Sequence, residues 1–156
     1  MPLLRAALSW NFVLATAICA SLLAQLIKVL LNLFIFHRFI AERMWGAGGM
    51  PSSHSATVCA MVVATGRYCG VNSPLFAIAA VLSIIVMYDA MGVRYETGEQ
   101  AKVLNRMFTE WMDQGFEQFQ LPHGKKLKEM VGHTPLQVVA GFLVGLVVGL
   151  LYPLGL

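Results

Sequence analysis

Charge is what this sequence has least of. Only 12% of its 156 residues are Asp, Glu, Lys or Arg, and 58% are hydrophobic. An average soluble domain carries roughly 25% charged residues. A soluble chain this short has too little interior to hide that much apolar surface, so the composition argues for an integral membrane protein. The net charge is +3 and the basic residues are dispersed, which is unlike the clustered Lys and Arg of a nucleic-acid surface. Cysteine is scarce too. Cys19, Cys59 and Cys69 sit in or beside apolar segments with no CxxC or Cys/His ligand spacing, so they read as small packing residues rather than metal ligands. No repeats or low-complexity tracts occur. A cleavable signal is not expected, because the first apolar run is too long for a signal core and no A-x-A-like site follows promptly.

What is present is a series of apolar segments. They run from about Leu8 to Phe36, Ser53 to Cys69, Pro74 to Val93, and Pro135 to Leu154. A hydrocarbon core takes about 20 helical residues to cross, and backbone groups in lipid must be satisfied internally. The expected fold is therefore all-α: one domain over residues 1–156, a polytopic membrane helical bundle of about four spans. "HRFIAERMW" (residues 37–45) extends the first span amphipathically. "GVNSP" is a tight turn, and "QLPHGKK", with His123, is a helix-breaking surface loop. Between the third and fourth spans, Leu104, Met107, Phe108 and Trp111 follow helical spacing. They predict one amphipathic helix at the membrane interface or against the bundle. The connections 36–52 and 94–132 share one side and hold Arg38, Arg43, Arg94, Lys102, Arg106, Lys125, Lys126 and Lys128; Arg5 and Arg67 are on the other. Eight against two places the richer side in the cytoplasm by the positive-inside rule.

The chemistry-bearing residues gather on that side. In "GAGGMPSSHSATVCAM", Pro51, Ser52 and Ser53 open a helix, with serine as a good N-cap. The free N–H groups of a helix start attract phosphate, and His54 there can donate a proton to an ester oxygen. In "VGHTPLQVVAG", Thr134 and Pro135 predict a second helix start just after His133. Two histidines at two helix starts can hold one phosphate from opposite sides, one attacking phosphorus and one protonating the leaving oxygen. Lys28 and Asp89 are intramembrane charges, which usually face the bundle interior with a partner. They read either as an ion pair with each other or as a phosphate clamp with an orienting acid. Arg94 suits bidentate phosphate contacts. "GEQAKVLN" looks purposeful, but residue chemistry alone assigns no role to Gln100 or Asn105. Gly141, Gly145 and Gly149 form a small-xxx-small face that permits close packing within the bundle or across a homodimer.

Four stretches, "GGMPSSHSA", "IVMYDAMGVR", "GEQAKVLN" and "KLKEMVGHTPLQVVAG", resemble the divergent branch of the phosphatidic acid phosphatase type 2 superfamily. That branch is related to acid phosphatases and vanadium-dependent haloperoxidases. The resemblance covers about Gln25 to Gly149. The superfamily pattern is K-x6-R-P, then P-S-G-H, then S-R-x5-H-x3-D. It implies a metal-independent phosphatase with no cofactor. In it the last histidine becomes a phosphohistidine, the middle histidine is the acid, and Lys and Arg bind phosphate. Carried over, Pro51, Ser52 and His54 match the middle motif, with Ser53 in place of glycine, and His133 matches the nucleophile. Lys28 is the candidate for the first-motif lysine. The pattern's charged positions depart further: Ile35 and Leu127 stand where arginines are expected, and Gln137 where the acid is. Lys126 and Lys128 flank Leu127, and Arg94 is the other cation that can serve. Gln137 can accept the nucleophile's ring N–H but cannot supply negative charge to an imidazolium.

The resemblance therefore implies a membrane phosphatase acting on a phosphatidate- or phosphatidylglycerophosphate-like lipid at the cytoplasmic face. His133 and His54 would be catalytic, with Gln137 orienting. Lys28, Ser52, Ser53, Arg94 and Lys128 would bind phosphate, with Asp89 supporting. Its partners would be a phosphorylated lipid and the bilayer. A lipid-phosphate binding or transport protein that does not hydrolyse, and a small assembly subunit with a vestigial site, remain as alternatives.

Overall fold

A computed structural model describes residues 11–36, 49–114 and 126–154. The amphipathic extension at 37–45 and the loop carrying His123 lie outside these residues. The described chain forms five helices: α1 Phe12–Phe36, α2 Ser53–Cys69, α3 Pro74–Met91, α4 Val93–Asp113 and α5 Pro135–Leu151. Their starts follow local chemistry. Asn11 Oδ1 accepts from the N–H groups of Val13 and Leu14 at the head of α1. Ser52 caps α2, and Ser73 caps α3 with Pro74 in its first turn. α2 and α3 end at Gly70 and Gly92, and Gly70 takes a φ of 85° that favours glycine.

The bundle is built around α2. α1, α3 and α5 all pack on it, and α1 and α5 also touch each other. This explains why α2 carries so many small residues. Ser53, Ser55, Ala56, Cys59, Ala60, Ala64 and Thr65 are buried along it, because several neighbours leave no room for large side chains. Ala20 and Ala24 of α1 meet Ala56, Ala60 and Val148 in the core. On the other flank the glycines of α5 come against the α2 backbone. A Cβ on Gly141 would overlap the carbonyl oxygen of Ser52, one on Gly145 that of Ala56, and one on Gly149 the side chain of Val63. The small-residue face is thus spent on helix packing within one chain.

Large apolar side chains point outward. Ile78, Ile84 and Ile85 of α3 are each about 60% exposed or more, where a water-soluble protein would place polar residues. Two stretches, Phe12–Phe34 and Pro74–Asp113, contain windows apolar and long enough to cross a membrane, while α5 is apolar but shorter. Far from His54, the end of α2 carries Arg67. Its guanidinium donates to the carbonyls of Gly149 at 2.7 Å and Tyr152 at 2.8 Å, and lies 5.5 Å from the Phe12 ring centre. It satisfies the open carbonyls at the end of α5.

The amphipathic helix forms as α4, but its buried face differs from the predicted apolar stripe. Leu104 and Met107 are exposed; Gly98, Ala101 and Asn105 are buried. The reason is the stretch 126–133, which lies against that face. A Cβ on Gly98 would overlap the Glu129 carbonyl oxygen, and one on Gly132 the backbone of Arg94 and Tyr95. Asn105 Nδ2 donates to Leu127 O at 2.9 Å and to Glu129 Oε1 at 2.8 Å, while its Oδ1 accepts from Leu127 N–H at 2.8 Å. So "GEQAKVLN" is a docking groove for the chain that leads to His133.

Candidate functional site

The starts of α2 and α5 are stitched together. The Ser52 N–H donates to the Gln137 carbonyl at 3.0 Å, and the Gly141 contact lets the two helices close on each other. The His133 N–H donates to Ala90 O at 3.0 Å, which fixes the loop against the end of α3. These ties bring the His54 and His133 rings to 6.4 Å between centres, at 59° to each other. His54 is exposed and His133 is buried. One phosphoryl group can reach both rings at that separation.

The tautomer of His133 follows from its neighbours. Gln137 Oε1 accepts from the Thr134 backbone N–H at 3.3 Å and lies 3.1 Å from His133 Nδ1. A backbone N–H can only donate, so the amide presents its oxygen, and Nδ1 must carry the proton. Nε2 then holds the lone pair. It is buried and has no hydrogen-bond partner among the described residues. Burial is the main reason His133 is held below its ordinary pKa. The Gln137 hydrogen bond opposes that shift, and the charges of Lys28, His54 and Arg94 reinforce it. The ring is therefore neutral near pH 7.

Lys28 enters from α1. It is 1% exposed, and its Nζ has no partner among the described residues. Its stem lies on Gly49, whose φ of 99° favours glycine there. The ion pair with Asp89 considered from sequence does not form. Asp89 instead binds Arg94 Nε across the α3–α4 junction. The physical reason is proximity: five residues separate Asp89 from Arg94 around one helix break, whereas Lys28 is on another helix. A buried ammonium without an anion is costly, and the described residues supply no anion to Lys28.

Ser52 and Ser53 are buried at the α2 start. Ser52 Oγ accepts from the Ser55 N–H at 3.4 Å, and Ser53 Oγ accepts from Gln25 Nε2 at 3.4 Å. The oxygens Gln25 Oε1 and Ser55 Oγ are also buried without partners among the described residues. Arg94 is half exposed, at the rim. Its charge acts on both histidines. Lys128 is exposed in the stretch before His133, and no described contact joins it to the cluster. The fold thus brings together His54, His133, Gln137, Lys28, Ser52 and Ser53, with Arg94 and Asp89 at the edge and Lys128 apart. Gln25 and Asn105 were missed as site-building residues. The only sequence signal for Gln25 was its place one turn before Lys28.

A helical membrane bundle with two histidines at neighbouring helix starts and a buried lysine is the class this chain defines. Residues 9–148 match the Divergent PAP2 family, and the chain belongs to that family. It is similar to the uncharacterized membrane protein YuiD of Bacillus subtilis (strain 168), with 37% identity over 146 residues, covering 90% of this chain and 92% of the relative. No solved structure matches it.

Proposed function

We propose that this membrane protein is a metal-independent phosphatase of a lipid phosphate, working through a phosphohistidine. The observation that carries the reading is the pair His133 and Lys28: a buried ring nitrogen with a free lone pair and a buried ammonium, both without partners among the described residues. In the proposed reaction His133 Nε2 attacks phosphorus and the bond to the ester oxygen breaks. His54 gives that oxygen its proton and the alcohol leaves. Water, losing a proton to His54, then attacks the phosphohistidine, which releases inorganic phosphate and restores His133. Lys28, the Ser52 hydroxyl and the α2 N–H groups, that of Ser53 among them, stabilise the equatorial oxygens, with Arg94 exchanging Asp89 for phosphate at the rim. In this reading the chain makes four passes and the site faces the cytoplasm. That suits phosphatidate- or phosphatidylglycerophosphate-like substrates made on that leaflet.

The test is phosphate release from a lipid-phosphate panel by purified protein with chelator present, with capture of the phosphoenzyme by an alkaline quench, in which a phosphohistidine survives. Release that His133→Ala abolishes is the expected result. Release no greater than in His133→Ala sinks the enzyme reading. Gln137 favours one second reading, a protein that binds or moves a phosphorylated lipid without cleaving it, because a neutral amide gives an imidazolium no charge. Lipid-phosphate binding that is equal in the wild type and His133→Ala, with no turnover in either, would support it.

A further inference from the structure

Gln25 stands outside every motif named above, yet it sits against the site. It lies one helical turn before Lys28 on α1, so the two side chains share a face. Its Nε2 donates to Ser53 Oγ, joining α1 to the start of α2. Its Oε1 is buried with no partner among the described residues. A buried amide oxygen left without a donor is costly, and apolar packing alone would select a leucine in a helix like this one.

We infer that Gln25 is a phosphate-binding residue, an inference that rests on the phosphatase reading of the site. When a phosphoryl group enters, the amide turns over. Ser53 Oγ–H then donates to Gln25 Oε1, and Gln25 Nε2 donates to a phosphoryl oxygen beside Lys28 Nζ. Both ends of the amide are satisfied in that state, and Lys28 gains its anion. Glutamine suits the place because it adds a donor without adding a second buried charge. It is also too weak a base to take the proton that the leaving oxygen needs.

The experiment compares wild type, Gln25→Leu and Gln25→Glu, purified in detergent. It reads phosphatidate hydrolysis, inhibition by orthovanadate and the melting temperature. One hydrogen bond to a charged partner is worth roughly tenfold to a hundredfold in affinity. Gln25→Leu is therefore expected to raise KM and the vanadate inhibition constant together by about tenfold or more, with kcat changed less. Gln25→Glu keeps the shape but places a carboxylate against the phosphate, and is expected to lose more than Gln25→Leu at unchanged melting temperature. Vanadate inhibition equal to wild type in both variants overturns the inference. A wild type that neither hydrolyses phosphatidate nor responds to vanadate overturns the phosphatase reading and this inference with it. The wild-type arm alone tells the two failures apart.

Discussion

Gln137→Glu turns the neutral acceptor of the His133 Nδ1–H into a carboxylate at the same place. The 3.1 Å contact to Nδ1 and the Thr134 N–H hold that oxygen in position, and an acid in the first turn suits the positive end of α5, so the fold is expected to tolerate the change. A neutral hydrogen bond contributes about 0.5–1.5 kcal/mol and one to a charged group about 1.5–3 kcal/mol. The difference of about 1–1.5 kcal/mol is roughly one pKa unit. Burial now holds His133 below its ordinary value, and the carboxylate offsets part of that. The protonated ring is no nucleophile, so a higher pKa moves the acid limb of kcat/KM up by about one pH unit. Above the limb, stabilisation of the imidazolium is expected to raise kcat by about an order of magnitude, a smaller effect than losing a triad acid. Phosphatase pH profiles read the rate, and nitrogen-labelled histidine NMR reads the titration without turnover. A folded Gln137→Glu protein whose His133 titration does not rise would refute the tautomer assignment and the role given to Gln137.

Three further outcomes follow from the packing and the burial. Gly145→Val would drive a Cβ into the Ala56 carbonyl, so it should destabilise by about 1–3 kcal/mol or more, seen as a lower melting temperature in detergent. Asn105→Leu removes three hydrogen bonds to the 126–129 stretch and strands backbone groups of Leu127. A loss of about 2 kcal/mol or more is expected, with faster tryptic cleavage at Lys126 and Lys128. Finally, His133 is held below the ordinary value of 6.5, so the unfolded chain binds this proton first as pH falls. Its contribution to stability is present above about 6.5 and declines below it. Melting temperature should drop on acidification, and His133→Asn should lessen the drop.

The helices were legible in the sequence wherever one segment's own chemistry settles its state. The apolar runs, Ser52 before α2, Pro74 and Pro135 in first turns, and Gly70 after α2 act within a turn or two, so their effect needs no neighbours. The two histidines before helix starts were legible for the same reason, and so was Gln137, four residues after His133. Partner choice was not. Lys28 and Asp89 looked like candidates for each other until the α3–α4 break placed Arg94 beside Asp89 and left the lysine alone. The face of α4 that packs within the chain was not legible because its occupant, the stretch 126–133, arrives from about 22 residues further along the chain. Beyond its place one turn before Lys28, Gln25 carried no local signal, since its meaning depends on α1 lying across the start of α2.

By itself, then, the sequence determined a membrane-embedded helical chain, most of its helix ends and the candidates for the proposed phosphoryl chemistry, because low charge, apolar length and capping are short-range properties. Only the tertiary structure decided which of those residues meet: His54 with His133, Ser52 with Gln137, Gln25 with Ser53, and Lys28 with no partner among the described residues. Close approach of helices fixes such meetings. Here the approach depends on the glycines of α5 and the alanines of α1 and α2, residues with no chemistry of their own.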